Sequence, residues 1–193
     1  MKTKQGMLTV LQRNMELLAG EKISKKVMEG SKKITDKTDQ RKVAEWVKDA
    51  MKRLDALVDE KTAIQVMENC GYNCAEVNKR VIERAKARRS KFKDSEGFLE
   101  AEQRKPMAGT RISIEGETLY QIYMPQAFTR PMRCYCALLR GLPEGEKISP
   151  TYCHCSKAFV KKFWETLLEK NVRVELMESV VSGGSECKFA IHI

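Results

Sequence analysis

The feature that most constrains this chain is a change of hydrophobic period near residue 109. Before it, apolar residues recur at helical spacing; after it, they alternate. Val43, Trp46, Val47, Ala50, Met51, Leu54, Leu57 and Val58 follow i, i+3, i+4 spacing with charges on the opposite face, and Asp39 stands where a helix cap is needed. Met7, Leu8, Val10, Leu11, Met15, Leu17 and Leu18 form an earlier stripe that Gly20 ends. Between them, residues 21–37 are Lys-rich and weakly patterned, a short helix and a loop. A further helix is expected over 60–69, interrupted in Cys70-Gly71-Tyr72-Asn73-Cys74, where Gly71 and Asn73 read as a break. Residues 75–91 read as a very basic helix and 92–108 as an exposed connection.

Beyond the change, Arg111–Ile114 and Leu119–Tyr123 flank Glu115-Gly116-Glu117, a hairpin pattern. A helix is expected over 156–169, with Ser156 as its cap and Phe159, Val160, Phe163, Trp164, Leu167 and Leu168 apolar. Val172 to Val181 and Glu186 to Ile193, joined at Gly183-Gly184, form a second hairpin. Helices gathered first and antiparallel strands later define an α+β fold: N-terminal helices on a twisted antiparallel sheet of about four strands. The 193 residues suit one domain, with 1–105 its mostly helical part and 106–193 its sheet, helix and Cys-rich part.

No apolar run approaches the roughly 20 residues that span a bilayer, and the N-terminus has no signal-peptide pattern. A cytoplasmic location, with no membrane contact, is the expectation. Net charge is +10, unevenly spread: residues 1–105 hold 25 Lys/Arg against 17 Asp/Glu, residues 106–193 only 11 against 9. The basic half alternates with acids as a solvated face does, so nucleic acid is not the expected partner.

In a reducing compartment seven cysteines, an odd number, point to metal or thiol chemistry rather than disulfides. They fall as Cys70-x3-Cys74, Cys134-x-Cys136, Cys153-x-Cys155 and a single Cys187. Thiolates ligate zinc or iron, usually four to a site or three with an open position. The alternatives are metal-free thiol chemistry and inert core cysteines, free Cys being among the most buried residues. With a two-residue turn at Gly183-Gly184, Val180 faces Cys187 and Glu178 faces Phe189. Glu178 then lies on an otherwise apolar face beside Cys187, a further candidate ligand. Cys153 and Cys155 precede a helix whose N-terminus favours thiolate. His154 between them is an additional candidate, and Arg130 and Arg133 beside the CxC pair could hold an anionic ligand.

Residues 149–193 resemble the 4-vinyl-reductase-like small-molecule-binding domain superfamily. The resemblance rests on Cys155 before a helix, the acid-bearing strand Val172 to Glu178, and the ending Gly183-Gly184-Ser185-Glu186-Cys187-Lys188-Phe189-Ala190-Ile191. Cysteine-rich bacterial and archaeal members of unknown function look nearest, through CGxxCA and CxC elements like those at 70–75 and 134–136. The resemblance implies an apolar ligand pocket between helices and sheet, and zinc near it held by Cys155 and Cys187. The extra cysteines leave an iron–sulfur cluster open.

The leading expectation is therefore a zinc or iron–sulfur sensor domain for a small, partly apolar ligand, with Cys134, Cys136, Cys153, Cys155 and Cys187 as ligands and Cys70 and Cys74 completing the site or forming another. A metal- or thiol-dependent hydrolase or reductase is the second reading and a basic nucleic-acid-binding module the third; a homodimer stays open.

Overall fold

The computed structural model describes residues 3–125 and 133–193. Seven α-helices and a four-stranded antiparallel sheet are found among them, so the fold is α+β. Helix α1 (Lys4–Ala19) begins where Thr3 accepts from the Gly6 N–H and ends at Gly20, held at φ +85°. Helix α2 (Glu21–Val27) and a single 3₁₀ turn, Ser31–Lys33, make the Lys-rich link. Helix α3 (Gln40–Leu57) is capped by Asp39, which accepts from the Arg41 and Lys42 amides. Its stripe of Val43, Val47, Ala50, Met51 and Leu54 is buried, as the spacing predicts.

Helix α4 (Glu60–Val77) corrects the expected break, for it runs straight through Gly71 and Asn73. Gly71 is there for contact rather than for a turn. A Cβ at 71 would overlap the Cys155 carbonyl oxygen and stand 2.7 Å from the Ala158 Cβ, so its absence lets a second helix cross at close range. Helix α5 (Lys79–Arg89) is the basic one.

The expected exposed connection is also corrected. Residues 95–104 form α6 (Ser95–Arg104), capped by Asp94 and buried through Phe98 and Glu102, both 0% exposed. Glu102 is tolerated because Arg88 stands 2.6 Å away and the Met107 N–H donates to its other oxygen.

Strands β1 (Thr110–Glu115) and β2 (Thr118–Tyr123) form the first hairpin, with Gly116 at φ +57° in its turn. Helix α7 (His154–Leu168) follows a 3₁₀ turn, Pro150–Cys153, then come β3 (Arg173–Glu178) and β4 (Cys187–His192). The sheet order is β1-β2-β4-β3. Register puts Leu119, Gln121 and Tyr123 of β2 beside Ile191, Phe189 and Cys187 of β4, on one face. Trp164, Phe163 and Leu167 of α7 cover that face, and the Trp164 indole N–H donates to the buried Gln121 side-chain oxygen at 2.6 Å. The helical core of α1, α3 and α4 packs on the other side of α7.

Candidate functional site

The inner face of the sheet ends at a seam where Tyr123 and Cys187 sit opposite each other in the β2–β4 ladder. Cys153, at the foot of α7, and Cys134, on the segment following β2, reach the same place. These four and Tyr135 line a small cavity of about 20 Å³, room for a single water-sized group. Pro125, Arg133, Ser156, Leu176, Ser179, Val181 and Phe189 also line it. Tyr123 packs edge-on against Tyr135 at 5.1 Å, and the Tyr135 hydroxyl donates to the Gly109 carbonyl at 2.6 Å.

The approach to this seam is shaped by a β-bulge that the sequence reading did not contain. Leu176 pairs with Phe189, but Glu178 pairs with Lys188, so the register slips at Met177. The expected pairings of Glu178 with Phe189 and Val180 with Cys187 are thereby corrected. Residues 180–182 form a 3₁₀ turn rather than strand, and Val181, not Val180, is the buried valine. Glu178 leaves the core face and ties the loop instead: it accepts from the Ser185 hydroxyl at 3.0 Å and the Glu186 N–H at 3.2 Å. The loop carries Ser179 inward, where its hydroxyl lies 2.9 Å from the Cys153 sulfur.

The remaining cysteines form a chain of contacts away from the cavity. The Cys136 sulfur lies 3.1 Å from the Tyr152 hydroxyl, and its N–H donates to the Cys134 sulfur at 3.4 Å. Cys155, on α7, hydrogen-bonds with Cys74 across the α4–α7 crossing. Cys70 accepts from the buried Asn14 amide of α1 at 3.3 Å. Asn78 reaches the Cys74 sulfur at 3.4 Å.

Electrostatics keeps Cys134, Cys153, Cys155 and Cys187 protonated. Burial pushes Cys153 up to about 11, only partly opposed by its bond to Ser179. Burial holds Cys134 well above the usual thiol range, with Cys136 adding to it, and raises Cys187 in the same way. Cys155 lies well above its ordinary value, first through its hydrogen bond with Cys74 and then through burial. The thiolate expected at the start of α7 is therefore corrected. The helix begins at His154, not at Ser156, and Ser149 caps the preceding turn. The positive end of the helix is outweighed by desolvation.

The metal expectation falls with it. Among the described residues no group of three or more Cys, His, Asp or Glu is arranged to hold a metal ion. Ligation needs sulfurs converging on a point; these are directed at Ser179, Tyr152, Asn14, Asn78 and one another. Zinc and an iron–sulfur cluster are both set aside on this geometry.

His154 faces Glu68, its Nδ1 3.9 Å from the carboxylate, which Lys157 also holds at 2.8 Å. Burial, with Lys157 nearby, lowers its pKa. Arg133 lines the cavity, but its guanidinium is bound to the carbonyls of Pro143, Glu146 (2.9 Å) and Val180 (3.2 Å). Arg130 lies outside the described residues. Tyr123, Tyr135, Tyr152, Ser179 and Asn14 were not singled out from the sequence. Asn14 alone carried a signal, as a polar residue set between Leu11 and Met15 on an apolar stripe.

A model described as a family of unknown function (DUF6144) matches residues 3–193. The chain belongs to that family. No curated protein matches it. Among solved structures, this DUF6144 chain is similar to the Fe(II) unliganded H-NOX protein of K. algicida, at 15% identity and TM-score 0.53, over 98% of this chain and 96% of that one. It is also similar to an H-NOX protein of S. oneidensis in the Fe(II)NO state, at 11% identity and TM-score 0.45, over 98% of each chain. The first likeness shows a shared fold. It corrects the 4-vinyl-reductase-like resemblance, which rested on one helix and a hairpin at the C-terminal end. The H-NOX likeness spans nearly the whole DUF6144 chain, N-terminal helices included.

Proposed function

We propose that this DUF6144 chain is a small-molecule sensor domain whose binding place is the thiol-lined cavity between α7 and the sheet. One observation carries the reading: Cys134, Cys153 and Cys187, from three separate segments, meet Tyr123 and Tyr135 around a single space. Such a lining is soft, polarizable and uncharged. The thiols are protonated, Arg133 is engaged with backbone carbonyls, and Glu178 is held in its loop. Among the described residues Arg133 is the one charged side chain lining the cavity, and its guanidinium is taken up by carbonyls, so the ligand class is a neutral molecule of about two heavy atoms at most.

The H-NOX fold is a heme-binding sensor fold, which makes heme the cofactor to consider. The described residues do not fit it. A macrocycle needs a pocket of several hundred cubic ångströms, against about 20 Å³ here. Neither histidine of the chain lines the cavity: His154 faces Glu68, and His192 lies between Thr118 and Glu175. The reading therefore keeps the sensor and sets heme aside. Occupancy would be reported through β2, β4, α7 and the 179–186 loop, all of which touch the space.

The test is amide NMR of the reduced, metal-free protein titrated with methanethiol, hydrogen sulfide and carbon monoxide. Saturable shifts centred on Tyr123, Cys153 and Cys187, abolished by Cys187→Leu, are the expected result. Absence of saturable shifts at the cavity with all three probes, or purification with stoichiometric heme, would overturn it.

A further inference from the structure

Away from the cavity, α5, α6 and the turn between them build a second surface with a different chemistry. Residues 79–93 contain eight cations, Lys79, Arg80, Arg84, Lys86, Arg88, Arg89, Lys91 and Lys93, against one acid, Glu83. Two of the eight have structural duties. Arg88 serves buried Glu102 and the Lys105 carbonyl, and Arg89 serves the Phe92 carbonyl and Ser95. Among the described residues the other six have no carboxylate within ion-pair distance, although Glu83 and Glu76 are close in sequence. Residues of α5, α6 and the segments that follow them line a shallow groove of about 470 Å³: Phe92 and Ala101 are its apolar lining, and Arg88, Lys91, Arg104 and Lys105 its basic lining. Arg104 is paired with Glu100, which leaves Lys91 and Lys105 as the free cations of that lining. Val81 is 46% exposed and stands three residues before Arg84 and seven before Arg88, on the same outward stripe of α5. Val77, at the end of α4, is 55% exposed just before it.

We infer that this groove docks an acidic amphipathic helix of a partner protein. A groove lined by both apolar residues and cations is complementary to a helix that presents Leu or Phe on one stripe and carboxylates beside it. Exposed Val81 of α5 and Val77 at the end of α4 add apolar surface on the same basic part of the chain. A phosphate backbone would use the cations but not the apolar lining or the valines. Charge and apolar surface together fit the peptide better than nucleic acid. The surface is separate from the thiol cavity, and this inference does not depend on what the cavity binds.

The experiment uses the full chain and a fluorescein-labelled helical peptide with leucines on one face and glutamates on the other, read by anisotropy. Saturable binding is expected, weakening as salt is raised. Lys91→Glu with Lys105→Glu, both exposed and held only through backbone hydrogen bonds that the substitution keeps, should weaken it about tenfold or more while leaving the circular dichroism spectrum unchanged. A control peptide with serines in place of leucines should bind much more weakly. No saturable binding at low salt overturns the inference, as does equal binding by the charge-reversed variant or by the serine peptide. Tighter binding to a labelled oligothymidine or to phosphatidylserine vesicles than to the peptide would also overturn it, assigning the surface to nucleic acid or to a membrane.

Discussion

Gly71 and Cys155 touch across the α4–α7 crossing, hydrogen in place of Cβ on one side and a backbone carbonyl on the other. Everything in the thiol seam is positioned from this contact. It fixes how far α7 sits from the helical core, and hence where Cys153 and Cys155 fall relative to the sheet and to Cys74.

Gly71→Ala should therefore destabilise the protein, even though alanine is the better helix former by about 1 kcal/mol. The added methyl meets backbone and the Ala158 Cβ rather than a flexible side chain, so the helices must separate. A net loss of roughly 1–3 kcal/mol is expected in urea unfolding. A neutral or stabilising result would mean that the crossing is looser than described.

The buried pair of Arg88 and Glu102 gives a pH signature. Burial raises the Glu102 pKa above 4.5, with Arg88 opposing it less strongly. A carboxyl raised in the folded state contributes stability below the unfolded value near 4.5, and that contribution is lost as pH rises through the folded value. Glu102→Gln should flatten the fall in stability on the alkaline side of pH 4.5. Parallel pH profiles for variant and parent would show that Glu102 is charged throughout, held by Arg88 alone.

Much of the fold was legible because period and topology are tightly linked. The α3 stripe and its Asp39 cap, the stop at Gly20 and the first hairpin follow from local rules that tertiary contacts reinforce. What was hidden depends on partners distant in sequence. Helix α6 looked like a charged loop because nothing near Glu102 in sequence announces that Arg88 will permit its burial. Gly71 looked like a break because its reason for being glycine is another helix. The bulge at Met177 turned Glu178 away from the core, and alternation alone cannot locate a bulge. At the site, Cys134, Cys153 and Cys187 line one cavity, but their protonation follows from burial depth, which spacing does not give.

Arg133 is expected to act as a staple rather than an anion receptor. Its guanidinium holds the carbonyls of Pro143, Glu146 and Val180, joining the 143–146 turn to the loop that carries Ser179. Arg133→Met should cost about 2 kcal/mol or more, since carbonyls lose charged donors. It should also raise hydrogen exchange in residues 179–186. Unchanged stability together with lost affinity for an anion such as phosphate would return Arg133 to ligand binding.

The protonated thiols make the last prediction. Cys153 has a folded pKa of about 11 against 9.0 for an ordinary thiol, because it is buried beside Ser179. A thiol raised in this way stabilises the folded state below pH 9.0, and its contribution disappears as pH climbs through about 11. The difference corresponds to roughly 2–3 kcal/mol. Cys153→Ser, which keeps a hydroxyl partner for Ser179 and does not titrate there, should remove that part of the alkaline loss, visible as a shallower decline in the urea midpoint above pH 9.0. In the parent protein, iodoacetamide should label Cys153 far more slowly than a model thiol at neutral pH, because both burial and protonation protect it. Rapid stoichiometric labelling of Cys153 at neutral pH, read by peptide mass spectrometry, would show an accessible thiolate and remove the basis for an uncharged cavity.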